Sequence, residues 1–321
     1  MWKRLTLLSF TIVALWLACG VPVPAQAQET ARDAAPPPLE LVTLGSGGPG
    51  ALGRAGSSHL ILVDGTPRIL VDAGPGSFVR LGESKLPLGA IDIVLLTHLH
   101  VDHVGDLPGI VKARAVAVRR PMSYRVFGPE GAKKQGDIAY FPSTRRFIDL
   151  IFGTQGAFAY LPDFAGKITF DVADLPGHAG AGDAPKQIYS EDDLVVSAIA
   201  GHHSDVPAVV YRIDYHGKSI VFSGDMDVNG LENLRRIAKD ASLLVFNSAV
   251  LDPPKAPPIL YTLHSPPSAI GQAAGDAKVG ALLLAHLSSA TDENREEVEK
   301  SLRAAYSGPI SFAEDGLHTT P

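Results

Sequence analysis

Cysteine is all but missing from this chain of 321 residues: its single copy, Cys19, lies within the first 27. The rest of the chain therefore has no disulfide and no thiolate ligand, and any metal held there must rest on histidine and carboxylate. Also missing is an uncharged apolar run of the ~20 residues that a membrane-spanning helix needs. The apolar stretch from Leu5 to Ala18 falls short of that, so we expect no stable membrane insertion. Positive charge is scarce too, since 28 lysines and arginines face 34 aspartates and glutamates, a formal net charge of −6. A chain of that sign gains no long-range attraction for a nucleic-acid backbone, which argues against nucleic acid as its partner. No internal repeat of fixed short period is present.

What is there begins with an export pattern. Lys3 and Arg4 precede the apolar run, and Pro22, Pro24 and the small-residue triplet Ala25-Gln26-Ala27 follow it. This is the anatomy of a secretory signal over 1–27, cleaved before Gln28, and implies a periplasmic or secreted protein. Lipid attachment at Cys19 is the lesser alternative, because Trp16 stands where such signals usually carry leucine. Cleavage removes two cations and no anions, taking the net charge from −6 to −8. Residues 28–38 (QETARDAAPPP) are polar and proline-rich and predict a linker. With 45% hydrophobic residues, 39–321 has ample material for a large core.

From Leu39 the pattern changes to short apolar runs between glycine turns. LELVTLG (39–45), HLILVDG (59–65), PRILVDAG (67–74) and IDIVLLTH (91–98) predict buried strands, with Asp64-Gly65 as a hairpin turn. A helix is expected after His103. Residues 119–190 mix basic, aromatic, proline and glycine residues without a sustained period, and predict loops and short elements forming a wall over one end of the sheet. Strands return at 194–201, 208–225 (turning at Tyr215-His216-Gly217), 242–250, 280–285 and 309–313, with helices at 231–239, 266–276 and 292–306. Strands alternating with helices indicate an α/β layered architecture.

The chemistry concentrates in Thr97-His98-Leu99-His100-Val101-Asp102-His103, directly after an apolar strand. Three histidines and an aspartate within six residues are costly to bury unless they bind something. Alternation along an extended segment lets His98 and His100 reach one metal, while the turn into a helix aims Asp102 and His103 at a second. The ordinary alternative is a solvated polar loop.

His98-x-His100-x-Asp102-His103 resembles the signature of the metallo-β-lactamase superfamily, and the resemblance runs from about Leu39 to the C-terminus. It implies an αββα sandwich and a binuclear metal hydrolase. It also implies roles for single residues: Asp72 (LVDAGPGS) supporting the cluster by hydrogen bonds, His203 (GHHSDVPAVVYRI) as the third histidine of the first metal, Asp225 (VFSGDMD) bridging both ions, and His286 (ALLLAHLS) completing the second. His202 competes with His203, and the spacing to Pro207 and AVVYRI favours His203. Zinc, two ions, is the expected cofactor, with iron or manganese suited to the same donors.

Within the superfamily the chain is most similar to the ribonuclease Z, arylsulfatase and phosphodiesterase branch, on its glycine-rich opening GSGGPGALGRAGSSHLIL with Ser57 and Ser58, and on Leu263-His264-Ser265. That resemblance makes His264 a proton donor or substrate-oxygen ligand, catalytic together with Asp102. Two metals about 3.5–4 Å apart lower the pKa of a water between them enough to present hydroxide near neutral pH, the implied nucleophile. We therefore expect an exported hydrolase acting on a phosphodiester or sulfate ester of a small anionic molecule, with homodimer formation open. Amide or lactone hydrolysis and a ribonuclease Z-like endoribonuclease are the alternatives within the fold. A catalytically inactive metal- or partner-binding protein would lack a ligand, and none is missing. The basic stretch Lys112, Arg114, Arg119, Arg120 and Arg125 suits an anionic substrate or simply a solvated surface. His178 and His318 carry no expected role.

Overall fold

Why the strand runs are apolar at consecutive positions, rather than at alternating ones, is answered by what lies on each side of them. A computed structural model of the chain describes residues 35–50, 53–132 and 140–321. The expected signal peptide, Cys19 and most of the expected linker lie outside the described residues. Residues Pro36–Pro321 form one unit.

The strands are β1 (Leu39–Gly45), β2 (Ser58–Val63), β3 (Thr66–Val71), β4 (Ile93–Leu95), β5 (Met122–Pro129), β6 (Ile168–Leu175), β7 (Lys186–Glu191), β8 (Leu194–Ala200), β9 (Val209–Tyr215), β10 (Lys218–Phe222), β11 (Leu243–Asn247), β12 (Ala281–Ala285), β13 (Ile310–Phe312) and β14 (His318–Thr319). They make two seven-stranded sheets, ordered β14-β1-β2-β3-β4-β5-β6 and β13-β12-β11-β10-β9-β8-β7. Each sheet joins an antiparallel portion to a parallel one: β1 to β3 are antiparallel and β3 to β6 parallel, then β7 to β10 antiparallel and β10 to β13 parallel.

The helices are α1 (Ser77–Ser84), α2 (Val101–Val104), α3 (Leu107–Val118), α4 (Thr144–Phe152), α5 (Leu231–Ile237), α6 (Pro267–Asp276), α7 (Ser289–Glu293) and α8 (Arg295–Leu302). Leu60, Leu70 and Val94 of the first sheet pack outward against Leu81 of α1, Ile110 and Val111 of α3 and Ile148 of α4. Their neighbours Ile61, Ile69, Val71 and Ile93 point the other way, against Val196, Tyr211, Ile213, Ile220 and Val245 of the second sheet. That sheet in turn packs Val210, Val221, Leu244 and Leu282 against Leu234, Ile270 and Val298 of α5, α6 and α8. Strands covered on both faces have no polar side, hence the unbroken apolar runs. The layers are α, β, β, α, as the resemblance implied.

Both anticipated hairpin turns have left-handed residues in succession, Asp64 (φ 48°) with Gly65 (φ 73°) and His216 (φ 47°) with Gly217 (φ 74°), the turn whose twist matches the flanking strands. Three expectations need correcting. Residues 119–190 are not chiefly a wall of loops: β5 and β6 pair in parallel over eight positions each and extend the first sheet. Their period was hidden because Arg125, Thr169 and Asp171 interleave with buried Tyr124, Val126 and Val172 near a sheet edge. The helix expected over 292–306 is broken between α7 and α8 at Asn294 (φ −121°, ψ 36°), whose side chain donates to the Ala290 carbonyl at 2.8 Å. The strand expected over 91–98 ends at Leu95, so the first histidines sit on a loop and not on a strand. Among the described residues no helix is long and apolar enough to cross a membrane.

Candidate metal centre

The parallel portions of the two sheets bring their carboxyl ends to the same edge of the sandwich, and the chemistry-bearing residues lie there. β3 ends at Val71, and Asp72 follows in a left-handed conformation (φ 56°). Its carboxylate accepts from Thr97 N (2.8 Å) and Thr97 Oγ1 (2.7 Å) and lies 2.7 Å from His103 Nδ1. A carboxylate only accepts, so His103 carries its proton on Nδ1 toward Asp72 and turns Nε2 the other way. Thr97 has already given its one O–H to Asp72, so it accepts from His98 Nδ1 at 3.2 Å, and His98 too presents Nε2. His203 donates from Nδ1 to the Leu263 carbonyl at 2.7 Å, with the same result.

Those three Nε2 atoms are buried and have no hydrogen-bond partner. All face Asp225, which follows β10 and Gly224. Asp225 Oδ2 lies 3.8 Å from His98 Nε2, 3.8 Å from His203 Nε2 and 3.4 Å from His286 Nε2, and Oδ1 lies 3.6 Å from His103 Nε2. His286 Nε2 is also 3.2 Å from Asp102 Oδ2. Gly224 is required where it stands: φ is +58°, and a Cβ would come within 2.7 Å of Thr97 Cβ.

Two donor groups result. His98, His100, His203 and Asp225 form one, and Asp102, His103 and His286 the other, each with its ligand atoms within 4.8 Å of one another. Asp225 also lies within 3.6 Å of His103 and His286 of the second group. Buried imidazole nitrogens without partners are expensive in a folded protein, and a divalent cation in each group would satisfy them with donors of the right type. The residues present thus fit two ions.

The charge balance agrees. Burial pushes the His98 imidazole well below its ordinary range, reinforced by His103, so its nitrogen is unprotonated and able to ligate. Burial disfavours the charged form of His103 as well, but the Asp225 and Asp72 carboxylates outweigh it and raise this group, so a metal at Nε2 must displace a proton. Burial opposes the Asp225 charge, yet His286, His103 and His264 hold it well below the carboxylate range.

Of the two adjacent histidines, His203 is in the donor group. His202 is half-buried and turned to Asp227 Oδ2 at 2.8 Å. His264 is 5% exposed, with Nδ1 lacking a partner, and its ring centroid is 5.5 Å from those of both His203 and His286. It also forms a donor group with Asp225 and His286. Burial lowers its pKa, the Asp225 carboxylate opposing, so near neutral pH it is an uncharged ring. Ser57 and Ser58 are buried, and Ser58 Oγ donates to the Asp72 carbonyl, so this serine braces the site.

Four contributors went unread in the sequence: Thr97, the Leu263 carbonyl, Asn247, which donates to Asp225 Oδ1 at 2.8 Å, and His59. Asn247 could have been found as the lone polar residue at the carboxyl end of SLLVFN. His59 is the second residue of β2, is buried against Phe222, and has Nδ1 unpartnered. Burial, then repulsion from His103, pushes it down to about 3. An unfolded histidine titrates near 6.5, so between roughly 6.5 and 3 the unfolded chain binds a proton that the folded chain does not. The stability attached to this group is therefore intact above ~6.5 and lost as pH falls toward 3, in total on the order of 5 kcal/mol. His59→Phe should flatten the dependence of unfolding free energy on pH in that window by up to about 1.4 kcal/mol per unit, measured by urea titrations from pH 7 to 4. An unchanged slope would place the acid lability elsewhere.

The sequence profile described as "Metallo-beta-lactamase superfamily" matches residues 52–252, more than half of the chain. The chain belongs to the metallo-β-lactamase superfamily. Such a fold with this donor set makes it a metal-dependent hydrolase. It is 28% identical over 298 residues to a protein named ribonuclease Z from Mycobacterium avium (strain 104), covering 87% of this chain and 97% of the relative. Among solved structures it shares its fold with the metallo-β-lactamase fold protein YhfI from Bacillus subtilis (TM-score 0.65, 19% identity, 88% and 99% covered). It shares it also with the short form of human tRNase Z (TM-score 0.63, 20% identity, 88% and 99% covered). The ribonuclease relatives correct the expectation that nucleic acid is not a partner. Net charge sums the whole surface, whereas attraction between an enzyme and a polyanion depends on where the cations stand.

Proposed function

We propose that this superfamily member hydrolyses phosphodiester bonds of RNA. The observation that carries the proposal is the pair of donor groups facing each other across Asp225, in a chain that resembles proteins named ribonuclease Z over nearly their whole length. His98, His100 and His203 would hold one ion, Asp102, His103 and His286 the other, with Asp225 between them. Metal ions bound by these residues would supply Lewis acidity for attack of water on the phosphoryl group. Asp72 and Thr97 fix the His103 and His98 rings so that their donor nitrogens need no reorganisation. Asp102 stays ionised, because the hydrogen bond from His286 and the charge of His103 outweigh burial. His264, uncharged near neutrality, offers an N–H that orients the ester and a proton for the departing oxygen once the substrate's negative charge lies against it.

Protein stripped with EDTA and reloaded with zinc or manganese should cleave a hairpin RNA carrying an unpaired 3′ extension, with no cleavage in EDTA alone. Turnover of bis(p-nitrophenyl) phosphate with no RNA cleavage under either metal would keep the hydrolase and reject RNA as its substrate.

A further inference from the structure

Lysine and arginine are unevenly spread. From Leu107 to Leu175, the start of α3 to the end of β6, there are ten of them against six carboxylates, +4 in a chain of −6, so the remaining residues carry −10. Such asymmetry points to an anionic partner for one part of a surface. Of this segment, α3 and α4 pack on the outer face of the first sheet, and β5 and β6 are strands of that sheet. On α3, Lys112 and Val116 are one turn apart and exposed, Val116 by 44%, and Arg119, just past the helix end, is exposed while its Nε donates to the Val116 carbonyl at 3.1 Å. The loop ending at Lys167 abuts the end of that helix: Met122 N donates to the Lys167 carbonyl at 2.9 Å, and a Cβ on Gly166 would come within 2.7 Å of the Arg120 backbone.

Aromatic rings interleave with these cations. Lys112 Nζ stands 5.5 Å from the Phe164 ring centre and 6.0 Å from that of Tyr160. Tyr160 is 53% exposed and Phe158 39%. Not every cation is free. Arg114 is buried and donates to the Gly89 and Ser123 carbonyls, Arg125 donates to Tyr189 Oη, and Arg146 pairs with Asp149. Asp163, Asp171 and Asp174 are exposed in the same segment. Lys112, Arg119, Arg120 and Lys167 have no carboxylate partner among the described residues. The flank reaches the metal centre, since α3 starts just after α2 and the Phe141 ring, ahead of α4, lies 6.3 Å from that of His100. From there α3 runs about 18 Å.

We propose that this flank receives the RNA strand beyond the scissile bond, with Lys112, Arg119, Arg120 and Lys167 against phosphates and an unpaired base stacked on Tyr160 or Phe158. This rests on the RNA reading of the metal centre, and its test is made without cleavage. Binding of a fluorescent hairpin RNA with an unpaired tail is measured by anisotropy in EDTA, at salt from 50 to 300 mM. The triple variant Lys112→Ser, Arg120→Ser, Lys167→Ser should bind at least tenfold more weakly at 100 mM salt and lower the log–log salt slope by about 2, since each lost phosphate contact on a single strand removes about 0.7. Turnover of bis(p-nitrophenyl) phosphate by the metal-loaded variant should be unchanged.

Neutralising Lys218, Lys239 and Lys300, exposed elsewhere, should alter binding little. If the triple variant melts early, Lys167→Ser alone should lower the slope by about 0.7. Equal loss in both triple variants, or wild-type protein that binds phosphatidylserine vesicles but not the RNA, would overturn the proposal. Flank-dependent RNA binding without RNA cleavage would uphold it while rejecting RNA as the substrate of the metal centre.

Discussion

Asp225→Ala should leave the protein folded but take its metal content from two ions per chain toward none, and turnover with it. One carboxylate faces His98 and His203 with Oδ2, His286 with the same oxygen, and His103 with Oδ1, all within 3.8 Å. Its removal would leave His98 and His203 with no carboxylate against their Nε2 atoms and leave His103 and His286 with Asp102 alone on that side, too little charge to offset two divalent cations. The loss should exceed the 10- to 100-fold in affinity or activity typical of deleting an outer partner. Asn247→Ala, which removes only a hydrogen bond to Asp225, should fall within that smaller range. Plasma emission spectrometry on dialysed protein, run beside turnover, checks both. Two ions and full activity in Asp225→Ala would sink the assignment of the centre.

The next largest effect is expected at His264. A proton donor or ester-orienting group that holds no metal should, on replacement by alanine, leave both ions in place and slow hydrolysis of an unactivated diester by roughly 10²- to 10⁴-fold. The penalty should shrink for bis(p-nitrophenyl) phosphate, whose leaving group needs little protonation. Neighbouring variants calibrate the result. His203→Ala should lose metal as well as rate, since its Nε2 is aimed at Asp225, whereas His202→Ala should keep metal, since its ring is turned to Asp227. Metal lost from His264→Ala would move this residue into the ligand set, as its donor group with Asp225 and His286 allows. Full rate on the unactivated diester with metal intact would remove it from the chemistry altogether.

That these residues would lie together was legible in the sequence, because a ligand-dense loop has few other physical uses. His98, His100, Asp102 and His103 are close in the chain, and the distant members stand at the carboxyl ends of apolar runs. What could not be read was orientation. Which nitrogen of the His98, His103 and His203 rings is turned to the centre depends on Thr97, next to His98, and on Asp72 and the Leu263 carbonyl, which are remote in sequence from His103 and His203. β5 and β6 escaped for a different reason: exposed Arg125 and Asp171 break up the buried positions, and only the pairing of β5 with β4 and of β6 with β5 reveals their place. The whole-chain charge misled most, because −6 conceals a segment of opposite sign.

The chain contributes to the centre twice, with Asp72 and the 97–103 loop from the first sheet and with His203, Asp225, His264 and His286 from the second. Each sheet ends its parallel portion at the same edge, so neither half can assemble a full set of donors alone. A ribosome extruding this protein exposes the first cluster early, yet one donor group stays incomplete until Asp225 has followed β10 and the other until β12 is laid down and His286 turns inward. Any ion bound there would thus report that the two halves of the chain have met.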